Sequence, residues 1–292
     1  MGEFLLEHRR AAILTTIALC CAAALYLLLA PGDSDDAAPF APIADAAEKT
    51  ASFPGARVDV DATFESDQLS EPLVMKGRGA FNGETNRFSM SMHAVDGPPG
   101  VDLALADQVA VGSGSVIYMR SPAFEGSLPD GASWMSMDTS EFASEQTQQE
   151  TTSDPRDALA DLRGLTDVEE VGTETVTGAQ TTHYRGTMDP SFEVDRLRAE
   201  GRDDEADTLE TILEGAGEPV PGGVEVWIDE KDRVRRMAMQ VPFEAIGGEG
   251  ASMAMTMTYS DFGVTPEISL PPQDDVFDGT QLGIESAEAL SE

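Results

Sequence analysis

Cysteine is almost absent from this sequence. The two present, Cys20 and Cys21, are adjacent and lie inside an apolar run, so nothing downstream of them can form a disulfide framework or a thiolate metal site. Histidine is nearly as scarce. His8, His93 and His183 are isolated, with none of the paired spacing a zinc site needs, and His183, in Thr182-His183-Tyr184-Arg185, reads as a strand residue rather than a catalytic base. Basic residues are few as well: 18 Lys and Arg against 54 Asp and Glu leave a formal net charge of -36. Such a surface repels phosphate backbones, which excludes nucleic acid as a partner, and it repels anionic lipid headgroups. The acids read as a solubility device or an adaptation to salt, or else as a surface that recruits a cationic partner.

Catalytic signatures are missing too. Gly112-Ser113-Gly114-Ser115 has the wrong spacing for a nucleophile elbow and reads as a turn. There is no phosphate-binding G-x-x-x-x-G-K-[ST] and no strand-linked G-x-G-x-x-G. Acid pairs are too common here to mark a glycosidase. Asp229-Glu230-Lys231-Asp232 lacks the glycine and spaced ligands of a calcium loop and reads as a hairpin turn. With no nucleophile, base or metal constellation, neither an enzyme nor a cofactor is expected.

What is present begins with Ala11–Ala30, AAILTTIALCCAAALYLLLA, twenty uncharged residues. As a helix they span about 30 Å, the thickness of a bilayer core. His8, Arg9 and Arg10 precede the run, and Asp33, Asp35 and Asp36 follow it. The basic flank predicts a cytoplasmic amino terminus and a carboxy-terminal bulk outside the plasma membrane. A cleaved signal peptide would be shorter, and Pro31 is a poor residue after a cut at Ala30. A lipidated Cys20 or Cys21 would need a small residue before it; Leu19 precedes Cys20. The organisation expected is a cytoplasmic tail over 1–10, a transmembrane anchor over 11–30, a Pro/Ala/Asp linker over 31–43, one domain over 44–278 and an acidic tail over 279–292.

Within the domain the dominant period is two. Val58, Val60, Ala62 and Phe64 alternate with charged or polar residues across Arg57–Glu65. Val74–Phe81 leads through Asn82-Gly83, a hairpin signal, to Arg87–His93. Further strands are expected at Val101–Ala106, Ser115–Arg120, Trp134–Asp138, Val168–Thr175 and Gln180–Met188. A hairpin follows, with arms Val224–Ile228 and Val234–Val241, and then Ser252–Tyr259. Helices are expected at Ala44–Thr50, after Asp154-Pro155 up to Gly164, and at Ser191–Leu213, the strongest of the three; Ser140–Ser153 reads as a polar loop. Many hairpin-linked strands with few helices and no βαβ alternation predict an α+β domain: an antiparallel sheet packed over a few helices.

Methionine recurs at alternate positions: Met90 and Met92, Met135 and Met137, Met237 and Met239, and Met253, Met255 and Met257. Strand geometry puts each set on one sheet face. Three readings compete. Thioethers fill irregular core gaps, line cavities for apolar ligands of variable shape, and bind soft metals such as Cu(I); no cysteine or paired histidine accompanies them as a mixed ligand set. The nine are the candidate lining of a ligand cavity.

The order of elements resembles actinobacterial envelope lipoproteins of the LppX/LprG kind. The segments that carry the likeness are the anchor and spacer, Ala44–Thr50 with Arg57–Glu65, Trp134-Met135-Ser136-Met137-Asp138, and Val171-Gly172-Thr173-Glu174 with Thr182-His183-Tyr184-Arg185. Val224–Asp229 with Val234-Arg235-Arg236, and the ending Pro271-Pro272, Asp274-Asp275, Val276-Phe277, complete it. The resemblance implies a strongly curved half-barrel of antiparallel strands over helices, akin to LolA-like periplasmic lipoprotein carriers. It also implies a lipid, acyl chain or other apolar ligand in the hollow, in envelope lipid or lipoprotein traffic. The missing lipobox departs from the family. An envelope sensor acting through a partner chain is the alternative.

Overall fold

The computed structural model describes residues 41–67, 69–124, 126–138, 165–188, 222–242 and 251–282, with single residues 162, 194, 198 and 206 among the remainder. The expected anchor at Ala11–Ala30, the polar loop at Ser140–Ser153 and most of the two later helices lie outside the described residues, although Val194, Arg198 and Ala206 are helical. Among the described residues no helix is long and apolar enough to cross a membrane.

One helix precedes the sheet. In α1 (Ala41–Ala51), Ile43, Ala46, Ala47 and Thr50 are buried at helical spacing, while Asp45, Glu48 and Lys49 face water. Its alanines favour the helix and let it approach β9 and β10 closely. Thr50 fixes that contact: its hydroxyl donates to Ala46 O at 2.7 Å and accepts from the Val234 N–H at 2.8 Å.

Twelve strands then form a single large, open, curved sheet. They are β1 (Gly55–Glu65), β2 (Leu73–Asn82), β3 (Arg87–Asp96), β4 (Gln108–Ser113), β5 (Val116–Arg120), β6 (Trp134–Asp138), β7 (Leu165–Val176), β8 (Ala179–Met188), β9 (Gly222–Asp229), β10 (Val234–Pro242), β11 (Ser252–Ser260) and β12 (Val276–Asp278). The order across the sheet is β12-β6-β5-β4-β3-β2-β1-β11-β10-β9-β8-β7. All pairs are antiparallel except β12 with β6. The α+β expectation of an antiparallel sheet with few helices therefore holds.

Three local expectations are corrected. Val101–Ala106 is not a strand: Leu103–Ala106 forms a 3-10 turn capped by the Asp102 carboxylate, which accepts the Ala104 N–H, and the strand follows it as β4. Asn82-Gly83 marks a hairpin but not a two-residue turn. Asn82 remains in β2 paired with Arg87, and its Oδ1 accepts the N–H groups of Glu84 and Thr85 at 3.0 and 3.2 Å. The left-handed residue is Asn86, φ 48°. Finally, Gly112 and Ser113 belong to β4, so only Gly114-Ser115 form the turn.

The inner face carries the main core, which runs from α1 over β9, β10, β11, β1 and β2, with Leu162 and Leu165 buried in it. A second cluster continues the same face over β2 to β6 through Phe81, Phe88, Ile117, Met119 and Met135. On the outer face, Val111 and Trp134 are covered by Ile268 from the extended stretch 264–272. That strap is tied down where Asn82 Nδ2 donates to Pro266 O at 2.9 Å and Arg87 Nη1 donates to Ile268 O at 3.0 Å.

Candidate functional site: a methionine face with a polar cleft at its edge

Strand register decides where the nine methionines point. Met237 faces Met257, and Met239 faces Met255, across β10 and β11. Met257, Met255 and Met253 face Val60, Ala62 and Phe64 of β1. Across β2, Val60 and Val58 oppose Gly77 and Gly79, which in turn oppose Met92 and Met90 of β3. Met90 opposes Ala110, Ala110 opposes Met119, and Met119 opposes Met135, with Met137 beside Ile117. Because side chains directly opposite in a ladder share a face, all nine lie on the inner side of the sheet. Seven are buried; Met92 and Met137 are half-buried.

Small residues shape this face. A Cβ on Gly79 would meet Met90 Cε at 2.7 Å, and one on Gly77 would overlap Met92 Sδ. Both thioethers therefore lie down across glycine hollows instead of standing off the sheet, and Phe88 does the same over Gly112. The result over β2 to β4 is a low floor of soft, unbranched side chains. Two further members, Met75 and Met119, are buried on the same face. Pattern reading missed them because each stands alone on its strand, without the M-x-M repeat.

At the β7–β9 end the chemistry changes. A cleft of about 520 Å³ opens between α1 and the strands, lined by Pro42, Asp45, Lys49, Thr173, Gln180, Thr181, Thr182, Tyr184, Ile228, Asp229, Glu230 and Asp232. None of the nine methionines lines it. Burial, then the nearby Glu170 carboxylate, raise the Tyr184 hydroxyl above its ordinary 10.0, against a side-chain hydrogen bond with Thr182. Lys49 Nζ bonds Asp232 Oδ2 at 3.1 Å. Asp229 is nearly fully buried yet ionised: burial opposes its charge, but hydrogen bonds from Arg233 and Arg235 and from the Lys231 N–H outweigh it and hold the carboxyl below its ordinary value. Nothing in sequence spacing flags this cleft, since its residues come from α1, two hairpins and a turn.

His183 sits on the outer face of β8. Its ring stacks on Trp227 with centroids 4.2 Å apart and planes 9° apart, between the carboxylates of Glu174 and Glu225, and Arg236 covers the Trp227 ring at 5.5 Å. This is a packed strand residue, as the sequence suggests. His93 lies exposed on β3. Among the described residues no group of three or more His, Cys, Asp or Glu is arranged to hold a metal ion.

In fold, the chain is similar to LppX. The lipoprotein LppX of Mycobacterium tuberculosis matches with a TM-score of 0.43 and 16% identity, over 81% of this chain and 100% of that one. LprF from Mycobacterium bovis matches with a TM-score of 0.42 and 12% identity, over 80% and 95%. A LolA-superfamily protein from Nitrosomonas europaea matches with a TM-score of 0.30 and 10% identity, over 80% and 96%. No protein-family model matches the chain, and no curated protein sequence does. The family resemblance drawn from the sequence and the likeness in fold name the same proteins, lipoproteins of the LppX kind.

Proposed function

We propose that this is a membrane-anchored, extracytoplasmic binding protein that holds a lipid, acyl chain or other apolar ligand against the methionine face, in envelope lipid or lipoprotein traffic. The observation that supports it most is the gathering of nine methionines, drawn from four strands, on one inner sheet face floored by glycines. A solid core needs no such uniformity, whereas a wall that reshapes around variable tails does. The uncharged run Ala11–Ala30, with basic residues before it and acids after it, supports anchoring with the domain outside.

Energetics bear on what kind of ligand would stay. At about 0.8 kcal/mol per buried methylene, a twelve-carbon tail supplies roughly 10 kcal/mol. Association costs roughly 4–15 kcal/mol in lost freedom, so a tail alone binds marginally and contacts to the rest of the ligand decide affinity. An alternative reading, an envelope interaction protein acting through a partner chain, is favoured by the open β7 edge, where Asp167, Glu169, Glu170 and Glu174 are exposed.

The test is uptake of a fluorescent apolar probe by the full chain held in amphipol. Saturable binding, displaced by fatty acids and weakened by filling the floor with Gly79→Leu, is the expected result. A chain that never takes up the probe, and that native mass spectrometry finds empty after mild extraction, removes the carrier reading.

A further inference from the structure

The cleft at the β7–β9 end and the methionine rows lie on the same face of the sheet, with the buried Val226 and Met237 between the cleft and the rows beyond. Thr173 pairs with Thr182 and Thr182 with Ile228, while Tyr184 pairs with Val226, which pairs in turn with Met237. Along the inner face the side chains thus pass from hydroxyls on β7 and β8 to thioethers on β10. The cleft's volume, about 520 Å³, is within the range of sites that enclose small organic groups.

Its polar groups have a definite character. Thr173, Thr182, Tyr184 and Gln180 carry hydroxyl or amide groups, which both donate and accept hydrogen bonds, as the hydroxyls of a sugar or polyol require. The rim carboxylates Asp45, Glu230 and Asp232 face a single lining cation, Lys49, which is already bonded to Asp232. The remaining lining acid, Asp229, is matched by Arg233 and Arg235. A phosphate entering here meets net negative charge and no lining cation without a carboxylate partner.

Building on the apolar-ligand reading, we propose that this cleft receives the uncharged, hydroxylated head of an amphiphile whose tail lies on the methionine face, and that it discriminates against phosphate heads. The tail makes the ligand apolar; the cleft chooses among ligands with the same tail.

The experiment holds the tail constant. The full chain in amphipol, loaded with the fluorescent apolar probe, is titrated with dodecyl maltoside, dodecyl phosphate and dodecyltrimethylammonium below their micelle concentrations, and with free maltose. The maltoside is expected to displace the probe at about tenfold lower concentration than the phosphate, the scale of one uncompensated charge near a protein surface. Free maltose should neither displace the probe nor give binding heat. Glu230→Lys, at an exposed turn position, should bring the phosphate ester close to the maltoside. Thr182→Val should weaken the maltoside while leaving the probe's own binding unchanged. Equal displacement by maltoside and phosphate overturns the proposal, as does tightest binding of the trimethylammonium, which would assign a cationic head. Binding of free maltose as tight as that of its dodecyl glycoside also overturns it, since the tail would then be idle. Probe uptake with equal displacement leaves the carrier reading standing alone; no uptake at all sinks both.

Discussion

Replacing Asp229 by asparagine tests how the cleft is held open. The carboxylate closes the β9–β10 turn: Oδ1 accepts the N–H groups of Lys231 and Arg233 at 2.9 and 3.1 Å, and Oδ2 accepts from Arg233 Nη2 at 2.6 Å and Arg235 Nε at 2.7 Å. Its side chain is only 3% exposed, and those of the two arginines 17% and 14%. Asparagine keeps the size and one accepting oxygen but removes the charge that both guanidinium groups share. Breaking a buried pair costs about 3–5 kcal/mol, because the partner is left uncompensated. The arginines keep some access to water, which favours the low end, about 3 kcal/mol. At about 2–4 °C per kcal/mol for a domain of this size, Tm should fall by roughly 6–12 °C at pH 7.

The pH dependence has a definite sign. Because the folded carboxyl lies below its ordinary 3.8, its contribution is fully present above that value and is lost as pH falls through the folded pKa. The gap in Tm between the wild-type and variant chains should therefore be wide at pH 7 and should close in strong acid. Thermal melts followed by circular dichroism across that range measure both. A gap under about 2 °C at pH 7, or one that does not change with pH, refutes the account of Asp229 as the buried anion of this turn.

Two further changes probe other joints. Thr50→Val keeps the shape of the side chain but leaves the buried Val234 N–H without its acceptor, so denaturant unfolding should show a loss of about 1–3 kcal/mol; an unchanged midpoint would mean that α1 is not held there. Gly112→Ala puts a methyl into the Phe88 ring and should cost about 1–3 kcal/mol, recovered in the double variant Gly112→Ala/Phe88→Leu; no recovery would show the strain to be in the backbone.

Period-two patterning carried most of the sheet. β1, β3, β10 and β11 lie within a few residues of their expected positions because each buries one face more than the other, and β6 and β8 do so although neither has a one-sided burial pattern. β4 was missed because Gln108–Ser113 is short and has no one-sided burial pattern, Val111 and Gly112 being buried on opposite faces, while the apolar Leu103-Ala104-Leu105-Ala106 beside it imitates a strand. β12 is three residues long and exists only through its parallel partner β6. The shared face of the methionines was legible strand by strand, but the register placing these four strands' sets on one face was not. Neither were the glycine hollows, nor a cleft whose walls are far apart in the chain.

The order of strands also constrains how this sheet can assemble. β1 lies between β2 and β11, so its second neighbour, Ser252–Ser260, is synthesised nearly two hundred residues later. Until that segment emerges from a ribosome or a translocation pore, the row from Val58 to Phe64 has only one flank, and β9 and β10 have no strand that joins them to the amino-terminal half of the sheet. Closure of so long a loop is slow. A chain threaded amino end first thus completes its sheet only at the end of delivery, as a late zipping of two preformed meanders along β1 and β11.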